Sequence, residues 1–168
     1  LSSGYMPISA VLINEAIYQA AVAESEKIGT FGHGFTYSGH PVAAAVALET
    51  LKIYDERDII GQVRAVAPRF LRRLHALAAH PLVGEARGVG LVGALELVAD
   101  KAAKTPFQPV GSAGAKAAAL CQDEGLIIRA MGDTLALCPP MTITEEEIDQ
   151  TFDRLERGLN RALTALAG

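Results

Sequence analysis

A stretch of small polar residues stands directly before an apolar, helix-forming segment and is well equipped to bind a ligand. Residues 29–40 are rich in glycine, which frees the backbone to approach a bound group closely. Thr36, Tyr37 and Ser38 add hydroxyl groups. The helix predicted to follow offers unpaired N–H groups and a favourable dipole at its N-terminus. This combination suits a phosphate group, although a surface turn that satisfies its own backbone is the simpler interpretation from residue types alone.

Arg129 is the second candidate, because it follows the apolar residues "LII" and precedes "AMGD". The segment predicts a buried strand that ends at the arginine. A guanidinium fork at such a strand end could enter a cleft and bind a carboxylate through two parallel hydrogen bonds. An arginine at a strand edge could equally pair with an acid on the surface. The residues alone leave both interpretations open.

A third motif looks like a nucleotide site but fails on its context. Gly88, Gly90 and Gly93 have the G-x-G-x-x-G spacing of a dinucleotide-binding loop. That loop must open a helix, whose free N–H groups meet the pyrophosphate. Here the glycines lead into "LVGALELVA", which is apolar and predicts a strand. Glycines that bend or bulge an antiparallel strand pair explain the spacing better.

Composition excludes several classes of partner. The chain has 168 residues, enough for one domain or slightly more, and a net charge of −4 at pH 7. This charge gives no reason to expect nucleic acid or an anionic membrane surface as a partner. No apolar run approaches the roughly 18–20 residues that span a bilayer. Cys121 and Cys138 lack the spacing of metal ligands, so we expect no metal site and two buried, reduced thiols, as is typical of cytoplasmic proteins.

The elements that must position these residues follow from periodicity and capping signals. Asn14 is a predicted N-cap, Pro41 a predicted first helical residue, and Thr144 with Glu147 a predicted capping box. The helix after Pro41 is apolar nearly all round, which predicts burial between layers. Predicted strands cover residues 8–13, 83–88, 90–98, 126–130 and 134–138; predicted helices cover residues 14–25, about 40–54, 59–79, 111–124 and from about 145 onwards. Strands in adjacent pairs indicate an α+β fold with a small antiparallel sheet packed against helices.

Four segments together resemble a known family: "LSSGYMPISAVLI", "HGFTYSGHPVAAAVALETL", "RGVGLVGALELV" and "GLIIRAMGDTLALCPPMTITEEEID". They are similar, in order, to the C-terminal part of class III pyridoxal-phosphate-dependent aminotransferases, in the ω-aminotransferase branch. The resemblance implies the fold-type-I architecture of these transferases. Residues 1–38 would end the large cofactor-binding domain, and residues 39–168 would form the interdomain helix and the small C-terminal α+β domain. It also implies pyridoxal 5′-phosphate as cofactor and a homodimer, or a tetramer of dimers.

The resemblance also implies roles for individual residues. Thr36 matches the threonine that binds the cofactor phosphate of the opposite subunit, and Phe35 matches a residue near that neighbouring site. Arg129 matches the arginine that binds the substrate carboxylate. The family's Schiff-base lysine would stand upstream of Leu1, so we expect a piece of a longer protein that has no catalytic residue of its own and is inert alone. The implied reaction moves an amino group between an amine, ω-amino acid or amino acid and a keto acid such as pyruvate.

Two alternatives remain at this point. Another reaction can use the same scaffold, such as that of an aminomutase or a decarboxylase, because fold does not determine function. A free-standing ligand-binding α+β domain without enzymatic activity is the other alternative. A lysine in the residues that precede Leu1 would argue against the second.

Overall fold

The computed structural model describes residues 1–166 and divides the chain into two compact units, Leu1–Asp58 and Ile59–Gly168. The helices of the first unit are α1 (Glu15–Ile28) and α2 (Pro41–Glu56). The elements of the second unit, in chain order, are α3 (Ile59–Ala76), a 3-10 turn (Leu77–Ala79), β1 (Val83–Val89), β2 (Val92–Leu97), α4 (Ser112–Asp123), β3 (Arg129–Met131), β4 (Thr134–Leu137) and α5 (Glu145–Leu166). The predicted domain division after residue 38 concerns a longer protein and stays a prediction.

The first unit confirms both predicted helix starts. The Asn14 side chain accepts a hydrogen bond from the Ile17 N–H at 3.0 Å, as an N-cap does. Pro41 is the first residue of α2. The predicted strand at residues 8–13 is wrong, because these residues are in no strand of the described chain. A strand needs a neighbour for its backbone hydrogen bonds, and residues 1–58 form no other strand that could pair with it.

The predicted burial of α2 is also not observed over the described residues. Only Ala43 and Ala47 of this helix are buried, whereas Val42 and Leu48 are exposed. The prediction assumed a second layer of structure over the outer faces of the helix. The first unit, over residues 1–58, contains only α1 as a further helix and therefore forms no such layer.

The second unit has the predicted α+β architecture. Its four strands form one antiparallel sheet in the order β1-β2-β4-β3. The helices α3 and α5 pack on each other, and α4 packs on α5 and on β3. Phe70 of α3 and Phe152 of α5 meet edge to face in the core, with ring centroids 5.3 Å apart. The predicted small antiparallel sheet packed against helices is confirmed.

The glycine motif lies in the β1–β2 hairpin. Gly90 occupies the turn with φ +58°, and Gly88 pairs with Gly93 across the two strands. A Cβ on Gly93 would lie 2.8 Å from Cδ2 of Leu74 in α3. The spacing therefore comes from a tight turn and from a helix that packs closely on the sheet. The prediction that these glycines serve an antiparallel strand pair is confirmed.

The start of α5 carries the predicted capping box. The Glu147 carboxylate accepts a hydrogen bond from the Thr144 N–H at 2.8 Å, and the Glu147 N–H donates to the Thr144 hydroxyl at 3.2 Å. These bonds lower the pKa of Glu147, because backbone and side-chain donors from Thr144 favour the charged form. The residue pair therefore sets where α5 begins.

The two cysteines differ in their surroundings. Both are free, but only Cys121 is buried, so the predicted burial of Cys138 is wrong. Cys138 follows the last residue of β4 and lies on the surface. Burial, and secondarily the charge of Glu124, raise the pKa of Cys121 to about 11, which keeps the thiol protonated at neutral pH.

Over residues 1–166 no cluster of side chains could hold a metal, and no helix is both long and apolar enough to cross a membrane.

Replacing Gly158 in α5 by alanine is expected to destabilise the protein. An added Cβ would lie 2.5 Å from Sγ of Cys121 and 3.0 Å from its Cα, where α4 meets α5. Alanine gains up to about 1 kcal/mol of helix propensity, whereas overpacking a core typically costs about 1–3 kcal/mol. Since rotating the Cys121 side chain cannot move the backbone of α4 away, we expect a lower midpoint of urea unfolding. Adding Cys121→Ala should recover part of the loss, and a midpoint at or above that of the unsubstituted protein would contradict this packing.

Candidate functional site

The glycine-rich stretch ends in a turn that one of its own side chains supports. The Ser38 hydroxyl accepts a hydrogen bond from the Phe35 N–H at 2.9 Å, and the Ser38 N–H donates to the Phe35 carbonyl at 2.9 Å. The His40 N–H donates to the Tyr37 carbonyl at 3.2 Å and closes the turn before α2. The Ser38 hydroxyl oxygen therefore supports the turn by accepting this bond, while its O–H stays free to donate.

Thr36 is one of the polar side chains of this turn that stay available. It is exposed, and neither its hydroxyl nor its N–H has a hydrogen-bond partner within residues 1–166. The start of α2 is similarly open, because its N-cap residue His40 makes no side-chain hydrogen bond to the first helical turn. Hydroxyl and N–H donors at a helix start are the groups that bind phosphate in proteins. The turn therefore fits the phosphate of pyridoxal phosphate in its chemistry.

Phe35 is exposed beside the turn. Its ring lies 5.8 Å from the ring of His33, edge to face. Phe35 and Tyr37 line a groove together with residues 6–9 and the first turn of α2, whereas Thr36 is not among the residues that line it. Thr36 and Phe35 are thus neighbours in the first unit that face different surroundings.

The second unit places Arg129 at the beginning of β3, not at the end of a strand. Residues 126–128 form no strand, and the ladder starts where Arg129 pairs with Ala136. The segment before β3 is instead held by hydrogen bonds to residues of α4 and α5. The Leu126 N–H donates to the Cys121 carbonyl at 2.9 Å, and the Arg154 guanidinium donates to the Gly125 carbonyl at 2.8 Å. The predicted strand 126–130 is therefore corrected to Arg129–Met131.

Arg129 lines a cleft of about 880 Å³ in the second unit. Most of the cleft wall is apolar and comes from the β3–β4 hairpin, the residues before β3, the proline-containing segment after β4 and the start of α5. Arg129 has no carboxylate partner among the described residues, unlike Arg69, Arg87 and Arg161, which all do. Within residues 1–166 no acid pairs with this exposed edge arginine, and its role stays a prediction. Its charge is available to an anionic group in the cleft.

Two further residues of this region were not predicted from the sequence. Arg154 lines the same cleft and fixes the segment before β3. Asp133 is a buried carboxylate whose hydrogen-bond partners lie 22 and 19 positions upstream. The periodicity of α5 places Arg154 on a helix without indicating what it contacts. An aspartate after a glycine indicates a turn but reveals no such distant partners.

Lysine is absent from both surfaces over the residues that the structure describes. Neither the groove beside Phe35 nor the cleft beside Arg129 has a lysine in its wall. Three lysines make contacts elsewhere: Lys27 and Lys52 pair with glutamates on their own helices, and Lys101 donates to the carbonyls of Ala78 and His80.

Comparison with known proteins gives consistent matches. The family model of the class-III aminotransferases matches residues 1–159. A chloroplastic gamma aminobutyrate transaminase 3 of Solanum lycopersicum is 46% identical over 95% of this chain and 31% of its own length. A vanillin aminotransferase of Capsicum frutescens is 47% identical over 89% of this chain and 33% of its own length. The chain thus spans about a third of the length of these curated relatives.

Solved structures agree with these relatives. A transaminase solved with L-alanine superposes with a TM-score of 0.89 at 55% identity, covering 98% of this chain and 39% of its own. An omega transaminase of Pseudomonas jessenii, solved in complex with PMP, gives a TM-score of 0.88 at 42% identity, covering 99% of this chain and 37% of its own.

Proposed function

The chain belongs to the class-III aminotransferases, and on that premise we propose that the full-length protein transfers an amino group between an amine or amino acid and a keto acid such as pyruvate. The curated relatives described above carry transaminase or aminotransferase in their names, which supports this reaction over a binding domain without activity. The transaminase solved with L-alanine supports alanine and pyruvate as one substrate pair. Pyridoxal 5′-phosphate is the proposed cofactor.

The observation that carries the proposal is the unpartnered guanidinium of Arg129 in its apolar-walled cleft. A substrate carboxylate that enters such a cleft loses water, and the arginine fork can replace that water with two parallel charge-assisted hydrogen bonds. An ammonium group has no planar fork of this kind. Arg129 would therefore bind and orient substrates that carry a carboxylate.

The residues of the first unit would hold the cofactor. Bound pyridoxal phosphate supplies an electron sink, which lets the amino group and a proton be exchanged at the substrate carbon. Thr36 would donate its hydroxyl and N–H to the phosphate. We propose that this phosphate belongs to the second subunit of a homodimer and that Phe35 lies near the same site. The proposed lysine for the cofactor aldehyde lies outside residues 1–168, so this segment is proposed to be inert alone.

Incubating the full-length protein with pyridoxal phosphate, pyruvate and a primary amine tests the function. We expect alanine and the carbonyl product of the amine in equal amounts, measured by chromatography. Lys116→Ala should leave this exchange unchanged, since Lys116 lines neither surface. Release of carbon dioxide, or conversion of an amino acid into its isomer without a keto acid, would instead identify a decarboxylase or an aminomutase.

A further inference from the structure

Asp133 is a buried carboxylate that fastens the β3–β4 turn to the first turn of α4. The side chain is 8% exposed, and each of its oxygens accepts a backbone hydrogen bond. Oδ2 accepts from the Gly111 N–H and Oδ1 from the Gly114 N–H, both at 2.8 Å. The Asp133 carbonyl also accepts a hydrogen bond from the Leu97 N–H of β2 at 2.9 Å. One residue of the turn therefore connects a helix start and a central strand.

The turn and the helix approach each other so closely that no side chain fits between them. A Cβ on Gly114 would lie 2.1 Å from the Gly132 carbonyl oxygen and 3.0 Å from the Asp133 Cα. Gly132 itself has φ +61°, which side chains rarely adopt. Such close packing allows little variation in where the turn sits on α4. The carboxylate bonds hold it there.

The strand that carries Arg129 depends on this attachment. The sheet order places β3 at an edge, so β3 has hydrogen bonds to β4 alone, and it consists of three residues. The helix α4 packs against it, and the bonds of Leu126 and Gly125 hold the residues before it. Because β3 is short and pairs with β4 alone, a displacement of the β3–β4 turn would also displace β3. The location of Arg129 in the cleft is therefore tied to the bonds of Asp133.

We propose that Asp133 is a positioning residue for Arg129, acting through the attachment of the β3–β4 turn to α4. This proposal rests on the proposed function, in which Arg129 binds the substrate carboxylate. If the attachment loosens, the guanidinium keeps its charge and its cleft but loses its fixed location. A bidentate contact depends steeply on position, whereas substrates without a carboxylate do not use it.

The test compares Asp133→Asn and Asp133→Ala in the full-length, cofactor-loaded protein. Asparagine keeps one acceptor oxygen, while alanine removes both. Single-turnover half-reactions are measured with alanine and with a primary amine that lacks a carboxylate. Since removing one member of such a charge pair costs roughly thirty-fold to several thousand-fold and Asp133→Asn only loosens the arginine, we expect the apparent dissociation constant for alanine to rise roughly three- to ten-fold in Asp133→Asn. It should rise further in Asp133→Ala, while that for the amine changes less than about two-fold in either variant.

Two controls separate positioning from general support of the fold. Asp100 accepts a hydrogen bond from the Ala103 N–H at 2.9 Å in the loop after β2, so Asp100→Ala also removes a carboxylate–backbone bond. It should not change the ratio of the two dissociation constants. Adding Asp133→Ala to Arg129→Ala should cause no further selective loss, because a residue that acts through Arg129 has nothing left to position.

Equal losses for alanine and the amine, or a lower melting temperature with an unchanged ratio, would overturn the proposal, as would an additional selective loss in the double variant. These outcomes differ from failure of the proposed function. In that case the unsubstituted protein would transfer no amino group, or Arg129→Ala would not discriminate between the two donors.

Discussion

Arg129→Ala in the full-length protein is expected to lower kcat/KM for pyruvate or alanine by roughly thirty-fold to several thousand-fold. Truncating one member of a buried, hydrogen-bonded charge pair costs about 2–5 kcal/mol, much of it from the partner charge left unpaired. Here the unpaired charge would be the substrate carboxylate in an apolar-walled cleft. Arg129→Lys should recover only part of the loss, because a lysine ammonium cannot form two parallel bonds in a plane.

The decisive measurement is a single-turnover comparison of two amino donors. A donor without a carboxylate has no group that needs Arg129, so its half-reaction should change far less. Arg64→Ala is a matched control, because Arg64 is an exposed arginine of α3 that lines neither the groove nor the cleft. Equal losses for both donors would make Arg129 a structural residue, and no loss for either would leave it as a surface charge.

Thr36→Ala is expected to weaken binding of pyridoxal phosphate by about one to two orders of magnitude while the fold is retained. The hydroxyl has no partner within residues 1–166, so its removal leaves no unsatisfied group in the protein. It would remove one hydrogen bond to a dianionic phosphate, which is worth roughly 1.5–3 kcal/mol. Thr50→Ala is the matched control, since the Thr50 hydroxyl already donates to the Val46 carbonyl at 2.8 Å within α2.

Mixed dimers would show which subunit's cofactor Thr36 contacts. A Thr36→Ala subunit is combined with a subunit whose own cofactor site is inactivated, and the dissociation constant of the cofactor is measured. We expect the weakened site to be that of the partner subunit. An unchanged dissociation constant in the dimer with Thr36→Ala in both subunits would contradict the assignment of Thr36. Weaker binding at the substituted subunit's own cofactor site would contradict a contact across the dimer.

The predictions that proved correct concern interactions between residues close in sequence. Asn14, Pro41 and the pair Thr144 and Glu147 sit at helix starts because a cap needs only its own first turn. Hairpins joined by short turns are similarly local, so the β1–β2 and β3–β4 pairs were predictable, whereas β2 pairs with β4 across the intervening α4. The resemblance indicated the family directly.

The errors concern features that depend on distant parts of a chain. Residues 8–13 have the composition of a strand but no strand to pair with in the described chain, and the outer faces of α2 have no covering layer there. The start of β3 depends on the register with Ala136, which apolar residues at 126–128 do not reveal. Asp133 was missed because Gly111 and Gly114 approach it only after α4 has docked.

The sheet order has a consequence for how the second unit avoids unwanted self-association. The outer strands β1 and β3 leave backbone groups that could template pairing with a strand of another molecule. On β1, Glu85 and Arg87 form an ion pair of 3.4 Å, and Arg87 also contacts Glu96 of β2 at 2.8 Å, so an incoming strand would meet charged side chains. The opposite edge strand, β3, is only three residues long, and its first residue is the charged Arg129. A short edge strand with a charged first residue is one of the devices by which proteins disfavour strand pairing between molecules.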